Sequence, residues 1–80
     1  MKIDLIKGYY ATSDALAIIT KMIDIKIKFQ EDKIIGSDNE EDIKMRENRI
    51  KSLQANLRES RRLTEAHGNS IYVNSEIQLG

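Results

Sequence analysis

The stretch TSDALAIITKMIDIKIKFQEDKII, Thr12 to Ile35, holds most of the strongly apolar side chains of this chain and contains neither Gly nor Pro. Two periodicities compete within it. At the helical period, Ala15, Ile18, Met22, Ile25 and Phe29 form one apolar seam, and Leu16, Ile19, Ile23 and Ile27 form a second beside it. Together they make an apolar arc of roughly 200°, with Lys21, Asp24, Lys28 and Glu31 on the remaining face. Alternatively, Ile23-Asp24-Ile25-Lys26-Ile27-Lys28-Phe29 alternates strictly, and β-branched Ile suits a strand.

The helix is the better reading. A strand would need the chain to leave a helix near Met22 with no turn residue to break it. Thr12, Ser13 and Asp14 stand ready as N-cap candidates. The helical reading has one awkward consequence: Lys26 falls near the middle of the apolar arc, where it must snorkel or find an acidic partner.

Beyond this stretch, Gly36-Ser37-Asp38-Asn39 punctuates the chain. Gly36 is placed to end the first helix in a left-handed conformation. Ser37 with Glu40, and Asp38 with Glu41, have capping-box spacing, and Asp38, Glu40, Glu41 and Asp42 put negative charge at the positive end of a second helix. The acidic cluster does not fit a calcium loop, because Ile43 falls where that loop needs Gly.

The second helix is expected over residues 39–67. Ile43, Ile50 and Leu57 recur every seven residues, Thr64 continues the register, and Arg46, Leu53 and Ser60 take the alternate positions. Glu40–Lys44, Asp42–Arg46 and Glu47–Lys51 are acid-first pairs four apart. His67-Gly68 closes the helix, with His67 placed to meet the last carbonyls.

The flanks are shorter and more ambiguous. Residues 2–6 alternate before Gly8 and the pair Tyr9-Tyr10. Residues 69–80 mix Ile71, Val73, Ile77 and Leu79 with polar neighbours, as a short strand against residues 2–6 or a loose tail.

The expected fold is therefore one small, mainly α domain over residues 1–80. It is a two-helix antiparallel hairpin (12–35 and 39–67) with short extended terminal segments, dimerising into a four-helix bundle. The alternative is an α+β domain with strands near 2–6, 23–29 and 71–79.

Composition bounds the function. A chain of 80 residues buries little of its surface and needs reinforcement from disulfides, a metal or oligomerisation. With no Cys and one His, oligomerisation is the route left open, and no cofactor or metal is expected. Thirteen basic and thirteen acidic residues cancel, which disfavours electrostatic capture of nucleic acid or an anionic membrane. The opening residues lack the apolar core of a secretory signal, and the longest apolar run, Ala15–Ile19, is too short for a membrane span. The default location is the cytoplasm.

No phosphate loop, dinucleotide fingerprint or nucleophile motif is present, so the chain is not expected to be an enzyme. The wide arc on the first helix outruns the narrow stripe on the second, which leaves apolar surface for a partner. A non-enzymatic interaction protein follows, acting by helix–helix self-association, with a dimer favoured, or by binding a partner protein's helix. Its interface is expected at Ile18, Ile19, Met22, Ile23, Ile27 and Phe29. The alternative function is a small nucleic-acid-binding regulator using Lys44, Lys51, Arg58 and Arg62, which share one side of the second helix.

Overall fold

A computed structural model describes all 80 residues as strand β1 (Lys2–Ala11), helix α1 (Thr12–Ile35), helix α2 (Glu40–Ala66) and strand β2 (Ser70–Gln78). The helical hairpin forms as its apolar periodicity dictates. The strand alternative for residues 23–29 is overturned, since α1 runs unbroken through them. Nothing in that segment interrupts the helical ladder, and its alternating isoleucines serve two sides of one helix. Ile23 and Ile27 share a stripe with Gln30, whose side chain bonds Arg46 of α2, while Ile25 and Phe29 point elsewhere and stay exposed.

On α2 the heptad stripe is the packed face. Ile43, Arg46, Ile50, Leu53, Leu57, Ser60 and Thr64 are all buried or half-buried, amid mostly exposed neighbours. The stripe turns to hydroxyls at its end without leaving them unpaired. The Ser60 hydroxyl donates to the Asn56 carbonyl (2.7 Å) and the buried Thr64 hydroxyl to the Ser60 carbonyl.

Three termini differ from expectation. The N-cap of α1 is Ala11 and not Thr12, Ser13 or Asp14, because β1 runs directly into the helix. The Thr12 N–H instead meets the Asn69 carbonyl of the other strand segment (3.1 Å). Gly36 has φ −89° and is not left-handed; the Ser37 N–H bonds Ile34 O (3.1 Å) as the chain turns. The cap of α2 is Asn39, whose Oδ1 accepts from the N–H groups of Glu41 (2.9 Å) and Asp42 (3.2 Å), displacing both proposed capping boxes. The closing glycine of α2 behaves as read, with Gly68 at φ +103°.

The extended flanks pair with each other, as one reading of the sequence expected, and over a longer span. β1 and β2 form a two-stranded antiparallel ribbon from Lys2↔Gln78 to Ala11↔Ser70. The ends are tied as well: the Met1 ammonium donates to Leu79 O (3.0 Å) and Leu79 N–H to Met1 O (2.8 Å). The fold is thus mainly α, a helical hairpin carrying a β ribbon.

A bulge in β1 sets which residues face the helices. Ile3 pairs with Ile77 and Asp4 with Glu76, but the next pair is Ile6 with Ser75, so Leu5 is an extra residue. Strict alternation would have sent Ile6, Gly8 and Tyr10 outward. The extra residue resets the phase and keeps Ile3, Ile6, Gly8 and Tyr10 on the face of Val73 and Ile71. Gly8 sits at φ +144°, a conformation that side-chain-bearing residues rarely adopt. The outer face carries Tyr9 against Tyr72 edge-on, ring centroids 5.3 Å apart.

The ribbon folds back over the hairpin. Ile6, Val73 and Ser75 bound a cavity of about 310 Å³ whose opposite wall is Ile19, Met22, Ile23 and Leu53. The chain nonetheless stays open, extending 46 × 32 × 14 Å. A 27-residue helix is about 40 Å long, which accounts for the long dimension. Two helices side by side account for the short one. The middle dimension exceeds what the hairpin fills and is left to the ribbon, which meets the helices over only part of its length, so ribbon and hairpin form an open wedge.

Candidate functional site

The wedge is the main concave feature. Its inner part is the apolar cavity beneath the ribbon. Beyond it, further along the helices and lined by helix residues alone, lies a groove of about 860 Å³ with Gln30, Glu41, Met45, Asn48 and Arg49 in its walls. Lys26 and Leu53 line both, so the two are continuous. Lys26, the awkward residue of the helical reading, neither snorkels over a packed core nor has an acidic partner. It is exposed, forms no ion pair and stands where the apolar and polar halves of the wedge meet.

Charge in the outer groove is one-sided. Lys26, Lys44 and Arg49 face it, against one carboxylate, Glu41. None of the three cations is in an ion pair; the chain's ion pairs are Lys2–Glu76, Lys28–Asp32, Arg46–Asp42 and Arg62–Glu59. Of the pairs expected on α2, Asp42–Arg46 forms, whereas Glu40–Lys44 and Glu47–Lys51 do not. The Ser37 hydroxyl first, and the Arg46 guanidinium second, hold the Asp42 carboxyl below its ordinary range.

The expected interface residues are divided by the fold. Ile19, Met22 and Ile23 line the cavity under the ribbon, and Ile27 lies half-buried beside them on the stripe toward α2. These four already have intramolecular neighbours. Ile18 is half-buried, and Phe29 remains 54% exposed. Ile25, on the same seam, is 71% exposed and is the most open apolar residue of that stripe. Its place on that seam was legible from its spacing with Ile18, Met22 and Phe29. The ribbon also leaves Leu5, Ile77 and Leu79 exposed, which needed knowledge of the strand pairing to foresee.

Lys44, Lys51, Arg58 and Arg62 are all exposed on the side of α2 away from its packed stripe. Arg62 is held by both Glu59 oxygens, and Lys44 borders the groove. His67 ends α2, its backbone N–H bonding Thr64 O (3.2 Å) and its ring Nδ1 donating to Ser70 O (2.8 Å). It thereby fastens the helix end to β2 and not to the last helical carbonyls. No group of three His, Asp or Glu side chains is placed to hold a metal ion. No helix is long and apolar enough to cross a membrane.

Comparison with family models, with curated proteins and with solved structures finds no match to this chain.

Proposed function

We propose that this is a non-enzymatic interaction protein that works as a homodimer in the cytoplasm. The observation that carries the reading is the amount of surface left uncovered. Only Ala15, Leu53 and Thr64 are buried. A folded monomer of 9.2 kDa exposes about 4,900 Å² by the usual scaling of surface with mass. This chain exposes 6196 Å². The radius of gyration, 15.1 Å, likewise exceeds the roughly 11.6 Å of a compact chain of this length.

The excess, about 1,300 Å² per chain, is larger than the roughly 800 Å² per partner of a standard interface and falls in the range of obligate dimers. The helical arc alone does not support the reading as the sequence suggested, since the ribbon covers its middle. The support comes from the whole chain: an open wedge, a bare stripe at Ile25 and Phe29, and a ribbon with apolar residues at its tip. A foreign amphipathic helix would satisfy part of this surface, and the unpaired cations of the groove with the opposed Asp4 and Glu76 of the ribbon favour a second copy. The basic side of α2 has no further observation behind it, because Arg62 is paired and the chain is neutral.

Sedimentation equilibrium at micromolar concentration tests the proposal. A dimer is expected, with thermal stability that rises with protein concentration. A well-folded monomer with concentration-independent stability overturns it.

A further inference from the structure

The surface excess does not say which part of the molecule meets the second copy; the wedge does. Resting on the self-association reading, we infer that two copies clasp, the ribbon tip of each entering the wedge of the other. The layers then run helices, partner ribbon, own ribbon, partner helices.

Three observations support this order together. First, the wedge is of the right size. The 32 Å middle dimension exceeds the hairpin and leaves the ribbon room to splay, with about 5 Å taken by helix backbone. One inserted layer needs helices and ribbon about 20 Å apart at the mouth, at about 10 Å per layer step. Second, the inner face of the ribbon tip is apolar and only partly covered, Ile3 being half-buried. Ile3 and Ile77 are paired there, and Ile77 is exposed. In the clasp these faces stack on each other across the twofold axis, burying what the helices are too distant to bury.

Third, the outer face of the same tip matches the groove. Asp4 and Glu76 lie directly opposite each other, a like-charge pairing that destabilises a ribbon in isolation. Asp4 has no ion pair, and Glu76 reaches Lys2 only at 3.9 Å. In the clasp this outer face lies against the partner's helices, where Lys26, Lys44 and Arg49 wait without counterions. Glu41, the one acid in the groove, is then available to the partner copy's basic tip residue, Lys2. One arrangement thus places both misfit features, the opposed carboxylates and the lysine in the apolar arc, in contact.

Charge reversal tests the assignment. Asp4→Lys with Glu76→Lys, and separately Lys26→Glu with Arg49→Glu, change exposed side chains and leave the fold intact by far-UV circular dichroism. Each double variant alone is expected to dimerise about a hundredfold more weakly, because like charges meet at both ends of the clasp. Mixing the two variants restores a heterodimer, since each end then pairs opposite charges. A third variant, Ile25→Asp, keeps the dimer. If the wild type dimerises but the reversed variants still do so, or mixing restores nothing, the clasp is wrong while self-association stands. If Ile25→Asp alone dissociates the dimer, the bare stripe of α1 is the interface instead. A monomeric wild type removes both readings.

Discussion

The Arg46 guanidinium spans the two helices, donating from one amine to Gln30 Oε1 of α1 (2.9 Å) and from Nε to Asp42 Oδ2 of its own helix (3.1 Å). Its side chain is only 18% exposed, in a heptad position that otherwise takes apolar residues. The bond sets the level at which two otherwise slippery apolar stripes meet. With Gln30 opposite Arg46, Ile23 comes level with Leu53, and the two share the wall of the inner cavity.

Arg46→Ala is expected to cost about 1–2 kcal/mol, the loss of two hydrogen bonds to a charged donor in a half-buried site. Gln30→Ala should cost less, since Arg46 keeps Asp42. Replacing both by Leu is expected to restore stability or exceed the wild type while loosening the register. Urea unfolding at fixed protein concentration measures the first two effects, and amide exchange along α1 and α2 reports the third. A destabilised double-Leu variant would count against this account.

Asn39→Ala removes the oxygen that satisfies two N–H groups of the first turn of α2 and should cost about 1 kcal/mol. Asn39→Asp is expected to be neutral or slightly stabilising, because a carboxylate accepts the same bonds and complements the helix dipole. Thermal melts followed by circular dichroism would separate the two variants by several degrees, a shift that size scaling supports for a chain this short.

Acid should weaken the protein from two named places. The folded-state pKa of Asp42 lies below its ordinary 3.8, held there by Ser37 and Arg46, and that of Glu59 lies below 4.5, held by Arg62. In each case the folded form binds a proton less readily than the unfolded form. The stability they contribute is therefore complete above the ordinary values and is lost as pH falls through the folded ones. Stability should decline below about pH 4.5, and Asp42→Asn should shallow the lower part of that decline. Glu59 is exposed and Asp42 half-buried, so added salt should diminish the effect most at Glu59; a pH profile unchanged by Asp42→Asn would sink the assignment.

Leu53 is the one large apolar side chain that the chain buries, and it lines both halves of the wedge. Leu53→Ala should cost about 2–4 kcal/mol and, with so little other core, is expected to leave the helices paired only loosely. Loss of dispersed amide resonances in NMR, with helical circular dichroism retained, is the expected signature. Full retention of dispersion would show that the core lies elsewhere.

Much of the hairpin was legible because helix signals are local. The heptad of Ile43, Ile50, Leu57 and Thr64 names the packed face of α2 almost residue for residue, and the uninterrupted run from Thr12 to Ile35 favours a helix over the strand that Ile23 to Phe29 also allows. The caps were less legible, since Ser37, Asp38 and Asn39 all have suitable side chains and only backbone geometry selects among them. The apolar face of α1 was legible only in part. Spacing identifies the apolar seams of α1, but not which seam the rest of the chain covers.

Amino-acid pattern by itself therefore determined two amphipathic helices, the break between them and the tendency of both flanks to extend. Tertiary structure alone decided that the flanks pair along their full length, that Leu5 bulges, and that the ribbon folds back over Ile19, Met22 and Ile23. The physical reason is range. Helical periodicity is imposed within a few residues, whereas the ribbon closes between groups 78 residues apart, Met1 and Leu79. Its register is chosen by which face of each strand the helices can bury, and that choice exists only once the hairpin is in place.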